Sequence, residues 1–167
     1  MQELDHNEIA SLLQSAPLAR LGMIGPDGPY IIPMPFYFDG EAFYMRLPQR
    51  GRKHDCLSHD PRICIEVDGY TPDLTVYWSV IADCVLDPVP EAALIETVRQ
   101  KNHDKYEQLR GASRKGHGRP KAAPGQSPIR RFAVRSIGGR RSDRGIIDFS
   151  TAELAQQPVT GTNTNAA

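Results

Sequence analysis

The 167-residue sequence lacks a long apolar run, a net charge of either sign and any rich supply of cysteine. A membrane-crossing helix needs roughly 18 or more consecutive apolar residues, so none is expected. With 20 basic and 20 acidic side chains the formal net charge is zero, and no global field draws the chain to nucleic acid or to an anionic membrane. Any anion site must be local. Cys56, Cys64 and Cys84 are odd in number and sparse, which points to reduced thiols rather than a disulfide framework. The opening M-Q-E-L-D-H-N-E is acidic and starts a helix, unlike a signal or transit peptide, so a cytoplasmic location is expected. The metal-like spacing His54-x-Cys56-x-x-His59 puts Cys56 and His59 on one helical face but not His54. No second cluster completes a ligand set, so no metal is expected.

No internal repeat is present. The length fits one domain over residues 1–149, with 150–167 expected to be a disordered tail. Asp5 followed by Glu8 reads as a capping box opening a short helix whose apolar stripe is Ile9, Leu12 and Leu13. Ala16-Pro17 ends that helix. Ala19 to Ile24 is then a strand, Gly25-Pro26-Asp27-Gly28 a turn, and Tyr30 to Phe38 the returning strand. Pro33 and Pro35 lie inside that second strand and cannot donate to a ladder, so it should be an edge or be bulged. Ala42 to Leu47, Arg62 to Gly69, Leu74 to Leu86 and Ile129 to Ile137 are the remaining strands. Arg52 to Ser58 and Glu91 to Leu109 are helices. Six strands with so few helices predict a mainly β fold, an antiparallel barrel of Greek-key type.

The densest signal runs from Asp27 to Leu57. Two aromatic-rich strands joined at Asp39-Gly40 deliver Arg46, Arg50, Arg52 and Lys53 to the start of a short helix. Free N–H groups, the helix dipole and side-chain cations together suit a phosphate, such as that of a cofactor. Residues 110–127, rich in Gly, Pro and cations, are expected to form a mobile basic loop, a candidate lid over an anionic ligand.

The ordered series P-Y-I-I-P-M-P-F-Y-F-D-G, F-Y-M-R, G-R-K-H-D-C-L-S-H-D-P-R-I-C-I-E-V and Y-W-S-V-I-A-D-C resembles the pyridoxamine 5′-phosphate oxidase-like split-barrel flavoproteins. Within them it is nearest to the nitroimidazole-resistance-type branch. The resemblance covers roughly residues 4 to 110, with an echo in S-I-G-G-R-R. It implies an FMN-binding split β-barrel and a homodimer with the cofactor at the interface. By match to the family pattern, Arg52 and Lys53 would hold the FMN phosphate, and Ser79, in the Ser79-Val80 step, would hydrogen-bond the cofactor. The backbone of Ile32, Pro33 and Met34 would lie beside the flavin ring. Arg46 and Arg50 stand as further phosphate or substrate contacts. Arg46 replaces the histidine common in the nitroimidazole-resistance branch, and Cys84 replaces a usual glycine, which puts nitroreduction and local packing in question.

The expected function is an FMN-dependent oxidoreductase acting on a small molecule, an anionic one being the kind that the basic loop would suit. No side chain stands out as a nucleophile or general base, which suits a flavin that carries the redox chemistry. The alternatives are a haem-binding or haem-degrading split barrel, a non-enzymatic flavin carrier or sensor, and a deazaflavin-dependent reductase.

Overall fold

A computed structural model describes residues 1–88, 91–110 and 128–142. The basic loop, apart from Arg110, and the C-terminal tail lie outside the described residues. The element order is β1 (Gln2–Glu3), α1 (His6–Ser15), β2 (Ala19–Gly25), β3 (Gly28–Met34), β4 (Tyr37–Phe38) and β5 (Ala42–Arg46). It continues through α2 (Arg52–His59), β6 (Arg62–Tyr70), β7 (Tyr77–Leu86), α3 (Ala92–Arg110) and β8 (Ile129–Ser142). All pairings are antiparallel, in the order β3-β2-β6-β7-β8-β5-β4, with β1 added to β8. The fold is mainly β, a split barrel. No described helix is long and apolar enough to cross a membrane.

Eight strands stand among the described residues where the sequence predicts six, and each difference has a physical cause. β1 is a two-residue strand, too short to leave a periodic signal. The predicted strand through Pro33 and Pro35 divides into β3 and β4 because Phe36 leaves the ladder. Its N–H donates instead to the Tyr106 hydroxyl at 3.1 Å. Both fragments end the sheet path, the position that proline tolerates. β7 starts at Tyr77, not Leu74, because residues 71–76 form the preceding turn. There Asp73 accepts from the Thr75 N–H at 3.2 Å, and Leu74 sits at a φ of 58°, outside extended backbone.

Strict alternation places Ile63, Ile65 and Val67 of β6 in the core, in one cluster with Leu21, Val80 and Phe132. α1 agrees with the capping prediction. Asp5 Oδ1 accepts from the Glu8 N–H and Glu8 Oε2 from the Asp5 N–H, both at 2.9 Å, and Ile9 and Leu13 are buried. A second, smaller cluster of Ala42, Tyr44, Val98 and Ile129 lies under α3. Cys84 comes just after a β-bulge at Asp83. It is buried in the core, and that burial, reinforced by Asp83, pushes its thiol up to about 12.

Candidate functional site

The chain reaches α2 through Leu47, which is buried, and the exposed residues Arg50 and Gly51. Gly51 adopts a φ of 84°, a region that glycine enters without Cβ strain. As N-cap it has no side chain to offer the first turn. The helix start therefore presents N–H groups without a side-chain cap, beside Arg52 and Lys53.

Close contact with the β2–β3 hairpin fixes where those cations sit. Cys56 and Leu57 are buried, and a Cβ placed on Gly25 would lie 2.7 Å from Cys56 Sγ. Glycine is thus required for the helix to come this near. One turn earlier, the Arg52 guanidinium lies 4.4 Å from the centre of the Tyr30 ring, and Lys53 Nζ is 3.9 Å from Met34 Sδ. The two predicted phosphate residues are consequently seated along β3, and Ile32, Pro33 and Met34 lie on that same edge strand. Cys56 faces the hairpin, and among the described residues no three His, Cys, Asp or Glu side chains converge as a metal site would require.

The other predicted residues fall elsewhere. Arg46 ends β5 opposite Ile129 and lines a cavity between that side of the sheet and α3. Val80 is buried in the core, so only its main chain is available to a ligand. Ser79 stands opposite Asp68 and Arg140 and, alternating with Val80, faces outward along a groove shared with His6 and Gly138. β7 is three places from β3 in the sheet, roughly three spacings of ~4.8 Å. Within one chain the structure does not bring Ser79 to Arg52 and Lys53.

Two features of α3 were not singled out from the sequence. Lys105 Nζ donates to the carbonyls of Leu13 at 3.0 Å and Phe36 at 3.3 Å and lies 3.7 Å from the centre of the Phe36 ring. Burial lowers its ammonium to about 8. Tyr106 donates to the Pro17 carbonyl at 2.6 Å while accepting from Phe36, and burial raises its phenol. Beside them, Arg99, Asn102 and His103 line the cavity that Arg46 shares. The available signal was the presence of Asn102, Lys105 and Tyr106 within the partial apolar face of this helix: polar groups on a packed stripe require partners.

Residues 5–141 match the pyridoxamine 5′-phosphate oxidase family. No curated protein matches the sequence. Among solved structures, a candidate 5-nitroimidazole antibiotic resistance protein from Bacteroides thetaiotaomicron superimposes with a TM-score of 0.65 at 15% identity, covering 84% of this chain and 86% of that one. An FAD- and haem-binding protein from Mycobacterium smegmatis gives 0.64 at 13% identity over 97% of this chain and 89% of its own. An FAD-binding protein from Mesorhizobium loti gives 0.62 at 18% identity over 84% and 97%. These likenesses carry the fold, while the match over most of the sequence carries the family. The chain belongs to the pyridoxamine 5′-phosphate oxidase family.

Proposed function

We propose that the protein is an FMN-binding oxidoreductase that works as a homodimer on a small molecule. The observation that carries this reading is the α2 start, where a glycine N-cap, Arg52 and Lys53 meet the edge strand β3. Arg52 and Lys53 would hold the phosphate, with Arg50 as an outer contact, and the main chain of Ile32 to Met34 would flank the ring. Bound FMN supplies hydride and electron transfer; the protein supplies binding, orientation and exclusion of water. The structural likeness to FAD-binding proteins supports a flavin.

In this reading a second copy would cover the outward face of the sheet, where Ile24, Ile31 and Ile81 are exposed large apolar residues. A net-neutral chain does not repel itself, and a two-fold contact there would take Ser79 into the interface. Sedimentation should give twice the 18.5 kDa chain mass. A monomer that retains FMN would refute the dimer.

Replacing Arg52 and Lys53 together by alanine should weaken FMN by about 2–4 kcal/mol and leave riboflavin, which lacks the phosphate, nearly unchanged. Equal losses for both ligands would remove the phosphate assignment. The absorbance spectrum of the purified protein tests the cofactor class directly, since a Soret band in place of flavin bands would favour haem.

A further inference from the structure

The Arg52 guanidinium is held differently from the arginines that carboxylates fix. Arg20 is shared by Glu66 and Asp68, Arg62 is bound by Asp60, and Arg131 pairs with Asp87. Their charge is neutralised and their N–H groups are occupied. Among the described residues no carboxylate pairs with Arg52. Its guanidinium carbon lies instead 4.4 Å from the centre of the Tyr30 ring.

A ring and a carboxylate restrain an arginine by different means. A carboxylate accepts from the N–H edge and cancels the charge, whereas a ring face attracts the cation through its quadrupole. Arg52 therefore stays charged, with most of its N–H groups available to an anion. Those are the two properties a phosphate uses.

Tyr30 can hold the cation because it is itself fixed. It pairs with Met23 in the β2–β3 ladder, is half-buried and packs against the main core. Its hydroxyl has no hydrogen-bond partner among the described residues, so the ring is the part in use. Arg52 and Cys56 share a face of α2 by their i, i+4 spacing, and Cys56 meets Gly25 of the same hairpin. Ring and cation are thus referred to one scaffold. Lys53 meets only a weak acceptor there, the Met34 thioether at 3.9 Å. An ammonium acts as a point charge and needs little orientation, while the planar guanidinium fork must be aimed.

We propose that Tyr30 is a positioning residue for the cofactor phosphate, its ring ordering the Arg52 side chain before the ligand arrives. A side chain already ordered loses less freedom on binding, so the complex is tighter. The inference rests on the reading of Arg52 as a phosphate contact.

The test titrates the full chain, freed of cofactor, with FMN and with riboflavin. Tyr30→Phe keeps the ring face and should leave both affinities within about twofold of wild type. Tyr30→Leu should weaken FMN about fivefold and riboflavin by less than about twofold. Pentafluorophenylalanine at position 30 fills the ring's space with a reversed quadrupole. It should weaken FMN as leucine does, and it keeps the test decisive should Tyr30→Leu fail to fold. In Arg52→Met protein, either change at position 30 should lose its effect on FMN. The Arg52 Nε–H resonance of the cofactor-free protein reads the stack separately, because ring currents displace it; it should move in Tyr30→Leu and hold in Tyr30→Phe.

A resonance that Tyr30→Leu leaves in place would overturn the proposal. So would equal losses for FMN and riboflavin, or an effect that persists in Arg52→Met protein. If the resonance moves but Arg52→Met leaves the preference for FMN over riboflavin intact, the ring holds the arginine and the phosphate assignment is what fails, taking the positioning role with it.

Discussion

α2 and α3 both bring cations to the sheet, yet they are attached by opposite means. α2 is held by shape: Cys56 meets the hairpin at a distance that only Gly25 permits, and Leu57 joins the core. α3 buries one residue fully, Val98, and is otherwise tied by polar contacts from Lys105 and Tyr106 to the main chain of Leu13, Pro17 and Phe36. Close packing fixes position with little tolerance. A clamp of hydrogen bonds around a half-buried ammonium depends on its charge state. The difference suits the proposed role of α2, which needs a fixed position to hold the cofactor phosphate.

The sharpest way to break this comparison is at Gly25. Gly25→Val should destabilise the protein by about 3 kcal/mol through overpacking against Cys56 and should lower FMN affinity as the helix start shifts. Adding Cys56→Ala should recover at least about 1 kcal/mol, read as a coupling between the two sites in urea unfolding. Strict additivity would mean that α2 is not positioned by this contact.

On α3, Lys105→Met removes both donors from the Leu13 and Phe36 carbonyls. A loss of about 2 kcal/mol is expected, with FMN affinity unchanged because the clamp lies away from Arg52 and Lys53. A stability change below about 0.5 kcal/mol would show that packing alone holds α3.

The smallest effect is a pH dependence. Burial lowers the Lys105 ammonium from 10.5 to about 8, so between those values the unfolded chain binds more protons at this site than the folded one. Stability therefore rises with pH across that window, and the full cost of burying the charge is felt below it. Because the side chain is partly exposed, solvent screening limits the gain to about 1 kcal/mol. The wild type minus Lys105→Met difference isolates it, since the neutral amine can still donate to both carbonyls. A flat difference from pH 8 to 10.5 would indicate that the ammonium is solvated.

Much of the frame was legible because its signals are local. The Asp5–Glu8 capping box, the alternation of β6 and the edge position of the proline-bearing strand come from hydrogen-bonding inventory and side-chain period. The division at Phe36 was not legible, because its N–H partner, Tyr106, lies 70 residues away. Nor was the late start of β7, where β-prone letters yield to the Asp73 turn. At the site, the cation series through Arg52 and Lys53 was visible, but their contact with Tyr30 and Met34 was not.

By itself the sequence determined the strand-rich class, the family pattern and the basic helix start, each encoded by residues near one another in the chain. Tertiary structure alone decided that Ser79 faces away from those cations within one chain, that Arg46 lines a cavity with residues of α3, and that Lys105 is drawn into packed surroundings. Those outcomes depend on which strands become neighbours and on how closely each helix approaches them. Long-range packing sets both, and no local run of residues records them.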